Sequence, residues 1–428
     1  MLPIVPIQPK RVSEYAEAAG QEALDSLRDA ARQLQGLRVL NVSSTAYGGG
    51  VSELLQTQVP LMNDLGVETT WVVVEGSDRF FNVTKAVHNA LQGAETHLDD
   101  DMRETYWERM HANAAELPDD FDVMVVHDPQ PAALLQVLDE SSRRKGKWIW
   151  RCHIDLSAPY RPVWDFFEPI VNRYDAAIFT AEEYVQPGVQ GPLRAFIPPS
   201  IDPLSPKNAP MMESTWQGVL APFGVDPERP LVTQVSRFDP WKDPLGVIDV
   251  YRQVKEEFPG LQLVMIASMA SDDPEGWDWY ERTVRRAGED FDVHILSNLN
   301  GVGNVEVNAF QRASVAVIQK SIREGFGLVV SEALWKGKPV VAGNVGGIPL
   351  QIEDGVTGFL VTTAPECVDG LLFLLRNPER AMAMGAAGVE HVRQNFLTTR
   401  YLRDYLRVFQ DISAPAAANV EQTRQPAR

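Results

Sequence analysis

The sequence predicts an α/β protein built from two doubly wound, Rossmann-like parallel-sheet domains. Three observations point there. Short apolar runs alternate with helical stretches along the chain, the pattern of parallel strands covered on both faces. The alternation stops once, in a proline-dense stretch over 196–230, and then restarts. A length of 428 residues, at roughly 150 per domain, suits two or three domains.

Residues 11–35 read as an Ala-rich amphipathic helix that Gly36 stops. The first set of strand runs covers 37–44, 69–76, 122–128, 148–155 and 176–181. Between the first two, VSELLQTQVPLMNDL over 51–65 restores helical spacing, and Pro60 is expected to kink or shorten that helix. The stretch 196–230 holds eight of the chain's 30 prolines and marks the domain boundary. Strand runs then resume at 231–238, 261–268, 291–298, 314–321, 339–345 and 358–361. Asp243-Pro244 and Asp273-Pro274 each place a capping Asp before a proline at the first helical position. Helices near 365–376, 379–395 and 399–411 close the fold. The expected domains are an N-terminal helical extension (1–36), a first Rossmann-like domain (37–205), a Pro-rich linker (206–230) and a second Rossmann-like domain (231–395). A helix over 396–412 packs back on the first domain, and 413–428 is a disordered tail.

The 58 acidic and 39 basic residues leave a formal charge of −19. That argues against a nucleic-acid or anionic-membrane partner, since both need a broad basic surface. Two cysteines, Cys152 and Cys367, cannot form a disulfide framework and fit a reducing compartment. The first ten residues carry three prolines and read as no secretory signal, and no apolar run reaches about 18 residues. The expectation is a soluble, cytoplasmic protein. The seven histidines show no HExxH or other metal spacing, so no metal site is expected.

In doubly wound sheets ligands bind outside the carboxyl ends of the strands. Gly48-Gly49-Gly50 lies there, after the first strand and before a helix. It fits either a tight turn or close backbone approach to an anion at a helix N-terminus. Arg237 and Lys242, in SRFDPWKD, leave the first strand of the second half. A guanidinium fork and an ammonium just before a helix suit a diphosphate, or else they are surface charges beside Asp239 and Asp243. Glu324 and Glu332 bound REGFGLVVSE, the first in a Gly-rich loop and the second on the next helix. A carboxylate placed so can accept both hydroxyls of a ribose, while solvated glutamates are the plain alternative. His127-Asp128 and His153 end apolar runs of the first half, and Arg151, His153 and Asp155 would share one strand face. The acidic run Asp99-Asp100-Asp101 reads as solvated surface.

SRFDPWKD followed by REGFGLVVSE resembles the Arg/Lys pair and the E-x7-E motif of the retaining GT-B glycosyltransferases, over about residues 35–412. More narrowly, HDPQPAAL, WRCHID, DDPEGW, VNAFQRAS and SIREGFGL are similar to the trehalose glycosyltransferring synthases. The resemblance implies a GT-B fold, with two domains facing across a cleft that closes on substrate. It implies glucose transfer from a nucleoside-diphosphate glucose to free glucose, reversibly giving α,α-trehalose. Arg237 and Lys242 would hold and stabilise the departing diphosphate. Glu324 would contact the donor sugar together with the backbone of Gly325, Phe326, Gly327 and Leu328, and Glu332 would hold the ribose. Gly49 and Gly50 would approach the donor phosphates. His153 would lie beside the reacting glucose, and Asp128 would hold the acceptor. The implied partners are small molecules only, with a homodimer admitted. UDP-, ADP- and GDP-glucose all remain open as donor, and Mg2+ would enter only as a counter-ion of the nucleotide. No carboxylate is placed as a nucleophile, so the leaving phosphate would take the acceptor proton on the same face. The alternatives are a trehalose phosphorylase, a transferase with another acceptor, and a non-catalytic sugar-nucleotide sensor.

Overall fold

The computed structural model describes residues 1–118, 120–269 and 274–413, with Pro274 by its backbone alone. It contains two compact units. Among the described residues, the first comprises Met1–Glu14, Gln21–Ile197 and Tyr401–Ser413, and the second comprises Tyr15–Gly20 and Pro198–Arg400.

The first unit carries a six-stranded sheet of β1 (Arg38–Ser43), β2 (Glu68–Val73), β3 (Val123–His127), β4 (Lys147–Arg151), β5 (Ala176–Phe179) and β6 (Leu193–Phe196). Its order is β2-β1-β3-β4-β5-β6, with every neighbouring pair parallel. The order reverses between β1 and β3, which makes that gap the switch point where ligands are expected. β3 is buried along its whole length and β4 from Trp148 onward, as expected for strands covered on both faces. β6 was not expected. It lies at the sheet edge and is mostly exposed, so LRAF shows none of the apolar continuity of a central strand.

The second unit repeats the arrangement with β7 (Leu231–Val235), β8 (Gln262–Ala267), β9 (Val293–Ser297), β10 (Ala316–Gln319), β11 (Val340–Gly343) and β12 (Gly358–Val361). The order is β12-β11-β10-β7-β8-β9 and all pairs are parallel. Its switch point lies between β7 and β10.

Several expectations need correction. The run 11–35 is not one helix: short turns over 12–19 are followed by Gly20 at φ 85°, and the main helix is Gln21–Ala31. The helix Gly49–Asp64 continues through Pro60. Pro60 is buried between buried Val59 and Leu61, so packing offsets the one backbone bond the ring removes. Residues 206–230 are not a free linker. They belong to the second unit and include the helix Glu213–Leu220. Asn308 Nδ2 donates to the carbonyls of Pro206 and Ala209 at 3.0 and 2.9 Å, so side-chain bonds fix the proline-rich chain. The N-terminus also adds to the first sheet, with Val5 N–H donating to Trp71 O at 2.9 Å. The C-terminal helices are Ala364–Arg376, Pro378–Asn395 and Thr398–Ser413. The expected Asp273 cap and the tail beyond Ser413 lie outside the described residues.

Candidate active site

In the second unit the candidate residues gather at the carboxyl ends of β7 and β10. After β7 the chain makes a single turn, Pro240–Lys242, and Asp243 enters the left-handed region at φ 47°. Asp243 Oδ1 then caps the helix Pro244–Glu257 by accepting from Gly246 N–H at 3.1 Å. The Lys242 backbone is held at both ends. Its N–H donates to Asp239 Oδ1 at 3.1 Å, and its carbonyl accepts from buried Gln234 at 2.9 Å. That anchoring aims the side chain at Glu324, with Lys242 Nζ 2.6 Å from Glu324 Oε2. The two side chains are only 12% and 11% exposed. Ser321 Oγ and Gln319 Nε2 add bonds to the same carboxylate oxygen at 3.2 and 3.4 Å. Lys320 pairs with Asp243 beside them.

Arg237 lies apart from this cluster. Its side chain is 67% exposed and lies 3.2 Å from Asp239 Oδ2. The structure therefore brings Lys242 and Glu324 together, and leaves Arg237 mostly in solvent.

The loop Glu324–Gly327 turns sharply into the helix Leu328–Trp335. Gly327 sits at φ 79°, and a Cβ there would lie 3.0 Å from Glu324 Cγ. The left-handed backbone favours glycine, and the close Glu324 side chain adds a tight contact for any larger residue. Buried Gln351 clamps the loop by donating to the carbonyls of Phe326 and Gly327 while accepting from Ser331 N–H and Oγ. The Phe326 ring packs in the core against Phe396, so only its backbone is left for a ligand. Glu332 is not a solvated glutamate: it is 1% exposed, 3.3 Å from Lys207 Nζ, and accepts from Gln311 at 3.5 Å. Lys207, from the proline-rich stretch, had no signal in the sequence beyond its charge.

In the first unit the polar groups gather at the ends of β1, β3 and β4. The expected common strand face of Arg151, His153 and Asp155 does not form, because β4 ends at Arg151. Just past that end Asp128 Oδ1 accepts the His153 N–H at 2.7 Å. Asp128 has φ 64°, a region Asp tolerates better than most residues. Burial pushes the Asp128 carboxyl up to about 7, against the pull of the His153 N–H and the Arg151 charge. The rings of His127 and His153 are bonded through Nδ1 and Nε2 at 2.9 Å, and His127 Nε2 lies 3.0 Å from Asn41 Oδ1. Burial, then Arg151, lowers His127 to about 3 and His153 well below the usual imidazole value. Both rings are neutral. Arg151 is itself buried and donates to Ile197 O at 2.7 Å. Gly48 and Gly49 follow β1 at φ 74° and 80°, and Gly49 and Gly50 open the helix Gly49–Asp64. Among the described residues, no heavy atom beyond its chain neighbours and its own helix backbone lies within 4 Å of a Cβ placed on Gly49, so that backbone is open to approach.

Residues 41–186 match the family described as trehalose synthase, N-terminal domain, and residues 220–391 match glycosyl transferases group 1. A trehalose synthase of Rubrobacter xylanophilus is 53% identical over 403 residues, which is 94% of this chain and 96% of that protein. A trehalose phosphorylase of Pleurotus pulmonarius is far more distant, at 27% identity over 86% of this chain and 56% of its own length. Among solved structures, a UDP-forming α,α-trehalose-phosphate synthase of Burkholderia xenovorans superposes with a TM-score of 0.70 at 15% identity, covering 89% of this chain and all of that one. That likeness establishes the GT-B fold. With a relative more than half identical along almost its entire length, the chain belongs to the trehalose synthase family of group 1 glycosyltransferases.

Proposed function

We propose that this chain is a retaining glycosyltransferase that moves glucose from a nucleoside-diphosphate glucose to free glucose, giving α,α-trehalose. One observation carries the reading: Lys242 and Glu324, anchored at the switch point of the second sheet, form a compact cation–carboxylate pair at 2.6 Å. An ammonium has three donors. Lys242 can therefore hold Glu324 and a phosphate oxygen together, while Glu324 accepts from sugar hydroxyls.

The chemistry follows from charge. The anomeric carbon–oxygen bond of the donor breaks, and negative charge grows on the departing diphosphate. A fixed cation binds that charge more tightly in the transition state than in the ground state. The acceptor hydroxyl forms the new bond to the anomeric carbon on the same face and passes its proton to the leaving phosphate oxygen. Arg237 is the second cation, recruited from solvent when the donor arrives. The backbone of Gly325 to Leu328 lies along the donor sugar, Glu332 holds the ribose, and Gly49 and Gly50 face the phosphates. His153 meets the reacting glucose and Asp128 holds the acceptor. Any Mg2+ travels with the nucleotide.

Incubation with glucose and, separately, UDP-, ADP- and GDP-glucose, with the products identified by NMR, tests the reading. The expected product is α,α-trehalose with release of the nucleoside diphosphate. No disaccharide from any donor refutes it. Cleavage of trehalose by inorganic phosphate without nucleotide moves the assignment to a phosphorylase.

A further inference from the structure

We propose that Asn41 and His127 are positioning residues that fix one tautomer of His153, so that His153 meets the sugar with Nδ1 bare and accepting. The significance for transfer rests on the proposed function; the tautomer itself does not.

The chain of contacts begins inside the first sheet. Asn41 lies on β1 beside Val125 of β3. His127, two residues further along β3, therefore emerges on the same face as Asn41. Both are buried, and the His127 and His153 rings lie nearly parallel, 18° apart with centroids 5.2 Å apart. The backbone of His153 is fixed as well, by Asp128 Oδ1. Ring and backbone are thus held independently.

A neutral imidazole carries one N–H, so each bond in the chain dictates the next. With Oδ1 turned to His127, and Nδ2 buried without a hydrogen-bond partner among the described residues, Asn41 can only accept, which puts the His127 proton on Nε2 at the 3.0 Å contact. Nδ1 of His127 is then a bare acceptor. Its 2.9 Å contact must be filled by an N–H on His153 Nε2. That leaves His153 Nδ1 without a proton. The buried charge of Arg151 supports the chain by opposing protonation of either ring. A bare nitrogen pairs with a hydroxyl that donates, so the device selects a sugar hydroxyl in one orientation.

Two-bond proton–nitrogen NMR of the full chain labelled with 15N-histidine reads both tautomers without substrate. The expected wild-type result is a proton on Nε2 of both His127 and His153. Asn41→Asp keeps an acceptor and retains that pattern. Asn41→Leu removes it, mixes the tautomers of both rings and lowers kcat/KM about tenfold, the worth of one hydrogen bond. Asn41→Asp restores most of that loss. A wild-type proton on His153 Nδ1 overturns the proposal, since Asn41 would then face His127 with its nitrogen. Unchanged tautomers in Asn41→Leu overturn it equally. A wild-type protein with the expected tautomers and no transferase activity instead refutes the proposed function.

Discussion

The two units place polar groups at equivalent points of similar sheets, but they use opposite electrostatics. In the second unit basic side chains are matched with acidic ones: Lys242 with Glu324, Lys320 with Asp243, and Lys207 with Glu332. In the first unit they are held neutral or nearly so. His127 is lowered to about 3, His153 is held well below the usual imidazole value, and the Asp128 carboxyl is pushed up to about 7. The difference suits two kinds of ligand. A diphosphate needs fixed positive charge, and carboxylates beside the lysines keep that charge compensated when no ligand is bound. Sugar hydroxyls are uncharged, and oriented neutral donors and acceptors recognise them without the cost of burying an ion.

The largest effect is expected from breaking a charge pair. Lys242→Ala removes the cation and strands Glu324 in a site where it is only 11% exposed. Turnover should fall about 10²–10³-fold, the loss typical of one preorganised stabiliser of a developing anion. KM for the donor should move far less, because the interaction strengthens in the transition state. Steady-state kinetics at saturating glucose separate the two. A large rise in KM with unchanged kcat would make Lys242 a simple binding group.

The neutral site answers to pH instead. The Asp128 carboxyl titrates at 3.8 when exposed and at about 7 in the fold. Between those values the folded state holds a proton that the unfolded state has lost. Stability therefore falls as pH rises from about 4 to about 7, and levels off above. Asn tolerates the left-handed backbone at this position and its carbonyl oxygen can still accept the His153 N–H. Asp128→Asn should remove that fall, a difference on the order of 3 kcal/mol across the window. Urea unfolding of both proteins at pH 5 and pH 7.5 measures it. Parallel pH dependence in the two would mean that burial does not hold the proton.

Most of the architecture was legible because a parallel sheet writes itself as repeated apolar runs. Eleven expected runs became strands. β6 escaped because an exposed edge strand needs no apolar continuity. The placement of the motif residues at strand ends was legible too, since the apolar runs before them mark where each strand stops. Their partners were not. Gln351, Lys207 and Asn41 come from distant parts of the chain and carry no local pattern; only folding brings them to Phe326, Glu332 and His127. The proline-rich stretch misled for a related reason. Prolines bar regular structure locally, but they say nothing about side chains elsewhere, such as Asn308, that tie the backbone down.

Arg237 sharpens the contrast from its weak side. Sequence spacing treats it as the equal of Lys242, while the structure leaves it 67% exposed beside Asp239. Only the Arg237 end of that pair is exposed, since the Asp239 side chain is 10% exposed, and the screened contact contributes on the order of 1 kcal/mol to stability. Arg237→Ala should therefore shift Tm by no more than about 2 °C. In the proposed function its effect on transfer comes only when the donor is bound, through charge-assisted bonds to phosphate. kcat/KM for the donor should drop about tenfold, as expected for one such bond formed from a mobile side chain. Raising the salt concentration should narrow the gap between wild type and variant, because an exposed cation is screened where the recessed Lys242 is not. Equal salt dependence of Arg237→Ala and Lys242→Ala would erase the distinction between a cation recruited from solvent and one already anchored by the fold.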